Sequence, residues 1–189
     1  DNVAMSSVIK PASYEDLLRV PEHRVAEILG GQLHTHPRPG PRHARSASSL
    51  MGRVYDPFDR GRGGPGGWII LIEPELHLGS DVIVPDLAAW RRERLPRLPD
   101  SAWFELVPDW ACEVLSPATA RVDRLIKMRL YAAHGLRHLW LIDPIAQTLE
   151  SYRLDTDRWL LLATHGGDEL ATIEAFEAMP LALAELWAD

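Results

Sequence analysis

Residues 109–143 read DWACEVLSPATARVDRLIKMRLYAAHGLRHLWLID. Two short apolar runs, DWACEVL and HLWLID, have the length and composition of buried strands. Between them, from about Arg121 to His134, the residues Leu125, Met128 or Arg129, and Ala132 fall on one side of a helix. Gly135 follows where a C-terminal cap belongs, because glycine accepts the left-handed conformation that closes a helix. Strand, crossover helix and strand predict an α/β fold built on a mixed sheet with helices on its faces.

The flanking sequence fits that frame. Ser13 and Asp16 form a capping-box pattern ahead of Leu17 and Leu18, which predicts a short helix over YEDLLRV. RVAEIL and QLHTH flank Gly30-Gly31, a two-residue hairpin turn that needs positive φ angles. From His43 to about Phe58, the residues Ala47, Leu50, Met51, Val54 and Phe58 recur at helical spacing. GRGGPGG breaks that helix and reads as a mobile hairpin or lid; WIILIE and DVIVPDLAAW then read as strands. Downstream, TLESYRL and RWLLLAT predict a hairpin around Asp155–Asp157, and Pro180 opens a terminal helix through Leu186.

At 189 residues, with 46% apolar and 25% charged side chains, the chain suits one ordinary globular core. Residues 1–12 read as an N-terminal extension, in part vector-derived since four residues precede Met5, and 13–189 as a single domain. No run of ~18 apolar residues and no signal-like opening is visible, so the expected setting is the cytoplasm with no membrane partner. The single cysteine, Cys112, excludes an internal disulfide and a thiolate zinc cage. A net charge of −7 opposes nucleic-acid binding overall, but it is unevenly spread. Six arginines lie between Arg38 and Arg62 against Asp56 and Asp59, and ten acids face only Arg153 and Arg158 from Asp143 onward. One basic face is the expectation, and Arg42, Arg45, Arg91 and Arg92 are its candidate phosphate contacts.

Asp86 in VIVPDLAAW and Glu113 in WACEVL are carboxylates embedded in apolar runs, where an ionised group needs a cation or a donor. Neighbouring strands lie about 4.8 Å apart, close enough for both acids to grip one hard divalent ion. A buried salt bridge is the plain alternative. Pro108-Asp109 competes with Pro85-Asp86, but four residues of extended chain span about 13 Å, which keeps Asp109 from sharing an ion with Glu113. Lysine usage adds a signal: eighteen arginines stand against only Lys10 and Lys127. A compact ammonium on a flexible stem orients water better than a guanidinium does, so Lys127 is a catalytic candidate. The plain alternative is an i,i+4 pair with Asp123 on a solvated face, worth about 0.3–0.5 kcal/mol.

Taken in order, PD, then EV with SPAT, then D-x-x-x-K-x-x-x-Y and G-x-x-x-L-W-L-I-D-P, the chain resembles the Uma-two family of restriction endonuclease-like proteins in the PD-(D/E)XK nuclease superfamily. The resemblance runs from about Tyr14 to the C-terminus and is most specific over Pro108–Pro144. It implies a restriction-endonuclease-like sheet, with Asp86 and Glu113 as ligands of magnesium, for which manganese can substitute, and Lys127 as the lysine. It further implies that Glu27, in VAEILGGQL, lies beside the same ion and that the backbone carbonyl of Val114 completes its sphere. Position 115 is leucine where the superfamily's E-x-K needs lysine, and Lys127 from the following helix takes that place.

The function expected is a magnesium-dependent endonuclease acting on DNA as a homodimer, because two-strand cutting is simplest with two sites on a twofold axis. Alternatives are a nuclease-fold binding or regulatory module that no longer cuts, and a metal-dependent phosphoesterase for small substrates. His34 and His36 read as surface histidines rather than zinc ligands, whereas His43, at a helix start near arginines, is a candidate to touch phosphate or steady Glu27. Tyr131 reads as core packing, and Asp143 as a turn former.

Overall fold

In the computed structural model, which describes residues 10–188, the 109–143 segment folds as strand, crossover helix and strand. In chain order the elements are α1 (Tyr14–Leu18), β1 (Arg24–Leu29), β2 (Gln32–Pro37), α2 (Pro41–Val54), β3 (Trp68–Ile72), β4 (Leu76–Leu78), β5 (Asp81–Ile83), β6 (Leu87–Arg91) and β7 (Trp110–Val114). There follow α3 (Ala120–Val122), α4 (Met128–Ala133), β8 (His138–Asp143), β9 (Thr148–Asp155), β10 (Arg158–Gly166), β11 (Leu170–Ala171), β12 (Leu181–Ala182) and α5 (Ala184–Trp187). Wider π-type turns extend α2 at Tyr55–Asp59 and join α3 to α4 at Asp123–Lys127.

The main sheet has strand order β10-β9-β8-β7-β6-β3. Its β7–β8 pair is parallel, bridged by α3 and α4, and its other pairs are antiparallel, so the sheet is mixed as expected. A second, four-stranded sheet runs β2-β1-β5-β4. Residues of β7 alternate between two cores, since successive side chains of a strand point to opposite faces. Trp110, Cys112 and Val114 join Leu50 and Val54 of α2 on one face, while Ala111 joins Tyr131 and Leu139 on the other. Each large apolar side chain buried there contributes roughly 1.5–3 kcal/mol. Cys112 is a buried free thiol within the first of these cores.

Three expectations are corrected. DVIVPDLAAW is not one strand: β5 lies in the small sheet and β6 in the large one, with Val84-Pro85-Asp86 between them. Proline has no N–H to continue a ladder, so Pro85 ends the first strand and lets the chain change sheets. The glycine-rich run is a packed turn rather than a lid. A Cβ on Gly64 would lie 2.5 Å from the Pro57 side chain, and the Gly66 N–H donates to the Pro57 carbonyl at 2.8 Å. Pro180 precedes the two-residue strand β12, and the last helix begins only at Ala184.

At the start of the chain Ser13 and Asp16 make the expected capping box. Residues 1–9 of the expected extension lie outside the described residues, whereas Ala12 donates its N–H to Gly31 on the β1–β2 turn at 2.8 Å. No helix among the described residues is long and apolar enough to cross a membrane.

Candidate active site

The site forms where the chain passes from one sheet to the other. The Val84 N–H donates to Glu27 Oε1 at 2.8 Å, and the Val84 carbonyl accepts from Lys127 Nζ at 3.1 Å. Both backbone polar groups of Val84 are thus satisfied by charged side chains, which fixes the kink before Pro85. Asp86 stands immediately before β6. The β6–β7 ladder pairs Leu87 with Cys112, so one further step brings Asp86 opposite Glu113. Asp86 Oδ2 accepts the Val114 N–H at 2.7 Å, and His43 Nε2 from α2 stands 3.1 Å from the same carboxylate.

Glu113 faces the side of the sheet covered by the crossover helix. Lys127 Nζ lies 2.8 Å from Glu113 Oε1 and 2.9 Å from Glu27 Oε1. The ammonium has three donors, and Glu113, Glu27 and the Val84 carbonyl account for all of them. The Tyr131 hydroxyl, one turn later, also donates to Glu113 Oε1. The solvated i,i+4 pair is not what forms: Asp123 Oδ1 lies 4.0 Å from Lys127 Nζ, and both residues are buried. They open and close the π-type turn, a helix irregularity frequent at functional sites.

Charge does not balance at this floor. Glu27, Glu113 and Asp123 converge on one ammonium, and Asp86 stands opposite Glu113 in the ladder. Burial pushes the Glu113 carboxyl well above its ordinary range; Lys127 opposes that, and the charges of Asp123, Asp86 and Glu27 add to it. Asp123 is likewise raised to about 6, by burial above all, against the pull of Lys127. Glu27 goes the other way. Burial works against its ionisation, but Lys127, His36 and the Val84 N–H together outweigh it and hold the group at about 2. For Lys127, burial favours the neutral amine, yet Glu113 and Glu27 prevail and keep it an ammonium.

Above the floor opens a cavity of about 820 Å³, lined by Asp86, Glu113, Asp123 and Lys127, by Arg24, Arg38 and Arg42, and by the turn Ser116–Thr119 that follows β7. Openings at the carboxyl end of a strand that starts a crossover are where α/β sheets bind ligands.

The Uma2 family model, described as putative restriction endonuclease, matches residues 11–184. The chain belongs to that family. A crystal structure of a putative nuclease belonging to DUF820 from Anabaena variabilis ATCC 29413 is similar to it, with 25% identity and a TM-score of 0.73 over 94% of this chain and 98% of that one. No curated protein matches the chain.

In this Uma2 chain the structure draws Asp86, Glu113, Lys127, Glu27 and His43 into one site, and Arg42 onto its wall. Arg91 and Arg92 are elsewhere: Arg91 lies over the Trp68 ring at 3.9 Å, and Arg92 pairs with Asp59 at 2.9 Å. Arg45 does not line the cavity and donates to the Ala188 carbonyl at 3.3 Å. Sequence reasoning missed Asp123, Tyr131 and His36 as site residues, along with Arg24 and Arg38. For His36 a signal existed, because the Gly30-Gly31 turn pairs Glu27 with His34 and alternation then puts His36 on the same face. His36 Nε2 lies 3.8 Å from Glu27 Oε2, and that carboxylate raises the histidine above its usual value.

Among the described residues no three His, Cys, Asp or Glu side chains are gathered as a ready metal cage. Asp86 and Glu113 are two hard oxygen donors on an open cavity, which is the share of a magnesium site that a protein usually supplies, waters and substrate phosphate providing the rest. Both oxygens of Glu27 face other partners, Lys127 and Val84 on one side and His36 on the other.

Proposed function

We propose that the chain is a metal-dependent endonuclease that hydrolyses DNA phosphodiester bonds. The carrying observation is the convergence of Asp86, Glu113 and Lys127 on the floor of a cavity with arginines on its wall. Asp86 and Glu113 would hold a magnesium or manganese ion, with the Val114 carbonyl as a further oxygen ligand. Such an ion, when bound, supplies charge to the phosphate oxygens and lowers the pKa of a water.

The chain's own residues do the rest. Lys127, kept protonated by its carboxylate partners, is no proton acceptor; it orients water or phosphate by giving up one of its three acceptors. Glu27 positions that ammonium and the Val84 kink rather than binding the ion. His43 steadies Asp86, and Arg42 offers a guanidinium to phosphate. Two copies related by a twofold axis would bring two such sites into one assembly, which sedimentation of the purified protein checks.

The test incubates pure protein with supercoiled plasmid and with circular single-stranded DNA, in magnesium or manganese, with and without chelator. Metal-dependent nicking that Asp86→Ala abolishes is the expected result. Equal product from intact and Asp86→Ala protein would sink the reading, and no product from either would leave a nuclease-fold module that binds without cutting. Metal binding has its own readout, a rise in Tm with magnesium that follows RT ln(1 + [Mg]/Kd) and disappears in Asp86→Ala.

A further inference from the structure

Resting on the nuclease reading, the geometry points to a narrower substrate: we infer that the cavity takes one unpaired nucleic-acid strand rather than an intact duplex, and that the strand continues along a side groove ending on Trp187. The reactive groups lie at the bottom of a recess, where Glu113 and Lys127 are each only 3% exposed. At about 820 Å³ the recess has the size that engulfs a small ligand, room for a nucleotide or two but not for a double helix. To bring a phosphate to that floor, a strand must leave its partner, as it does for enzymes that work on extruded nucleotides.

One wall is built stiffly. Pro37, Pro39 and Pro41 stiffen the segment entering α2, and Arg38 is pinned by two hydrogen bonds to the Glu22 carbonyl, at 3.2 and 2.7 Å. Charge points the same way. Arg24, Arg38 and Arg42 attract one backbone, while Glu73 and Glu75, from the β3–β4 connection, would repel a second.

The exit is equally one-sided. A hollow of about 350 Å³ shares Pro41, Arg42, Pro144 and Ile145 with the main cavity and continues past Arg45 to Trp187. Guanidinium groups along a backbone with an aromatic ring for stacking are the means by which proteins hold single strands without reading sequence. The Trp187 indole N–H is committed to the Gly167 carbonyl at 3.0 Å, which fixes the ring in the hollow. This gives Arg45, outside the catalytic cavity, a role beside the strand.

The experiment measures fluorescence anisotropy of a labelled 15-nucleotide strand and of the duplex of the same sequence, both in EDTA so that nothing is cut. The strand is expected to bind at least about tenfold more tightly. Trp187→Ala is expected to weaken strand binding by roughly tenfold, the loss of one base stack, and Trp187→Phe to retain most of it. Because Trp187 packs against a core, Arg45→Gln provides a second variant, expected to weaken strand binding and flatten its salt dependence. Equal affinity for strand and duplex, or strand binding untouched in both Trp187→Ala and Arg45→Gln, overturns the inference. A protein that nicks plasmid but binds both forms alike keeps the nuclease reading and loses this one. A protein that prefers the strand, responds to Trp187→Ala and cuts neither DNA form keeps the strand track and loses the nuclease.

Discussion

Pro85-Asp86 and Pro108-Asp109 are the same dipeptide at opposite ends of the same strand pair. Each proline stands just outside the β6–β7 ladder, and each aspartate turns back to accept the N–H of the residue that finishes the facing strand: Val114 for Asp86 at 2.7 Å, Arg91 for Asp109 at 2.8 Å. Locally the two motifs are interchangeable. Their surroundings are not. The other oxygen of Asp109 meets Arg94 at 2.7 Å, which completes a neutral, structural pair. Asp86 instead faces Glu113 across the ladder, lies on the cavity and, among the described residues, pairs with no basic side chain but His43. What separates the two ends is which end of β7 carries the crossover helix, since that helix delivers Lys127 to one end alone.

The sharpest way to break this contrast is to remove each aspartate in turn. Asp86→Ala should lower metal-dependent DNA cleavage by more than about 100-fold, given that even outer partners of metal ligands are worth roughly 10–100-fold. Asp109→Ala should leave cleavage close to the intact protein's. If the two variants lose activity equally, the two ends are not distinct.

Lys127→Met should be the most damaging to folding, about 3–5 kcal/mol by denaturant unfolding, because it leaves Glu27 and Glu113 buried without their shared cation. Asp109→Ala comes next, at about 1–3 kcal/mol, through the Arg91 N–H and the Arg94 guanidinium it deserts. An Asp109→Ala protein as unstable as Lys127→Met would mean that both ends carry comparable charge strain.

The smallest effect should come from Asp123→Asn, and it depends on pH. Asp123 titrates near 6 when folded, above its unfolded value of 3.8, so the folded state keeps a proton that the unfolded state has lost. Its ionisation therefore subtracts stability as pH rises from about 4 to 6, and the full cost applies above that window. The amide removes this cost while giving up the attraction to Lys127, for a net gain on the order of 1 kcal/mol, or about 2–4 °C in Tm, at pH 8 and none at pH 4. Differential scanning fluorimetry at the two pH values checks it, and a gain at pH 4 would contradict the charge reading.

Much of this was legible from the residues themselves. Period-two and helical spacing located the β1–β2 hairpin, α2, β7 and the crossover helix, because burial of one face writes its period into the sequence. The distance along an extended strand separated Asp109 from Glu113, and the scarcity of lysine singled out Lys127. Other features left no local trace. VIVPDL reads as one strand because its apolar run is continuous, and only the pairing of β5 with β1 and of β6 with β7 shows that it serves two sheets. Asp123 looked like an ordinary helix-surface partner, since no sequence pattern reports that Glu27, fully 96 positions earlier, is packed against the same ammonium. The arginines followed the same rule: their clustering predicted a basic face, but whether each guanidinium reaches the cavity or is spent on Trp68, Asp59 or a carbonyl depends on neighbours distant in the chain. Periodicity and steric rules act between adjacent residues and are therefore written in the sequence, whereas burial and charge balance sum over groups that meet only after folding.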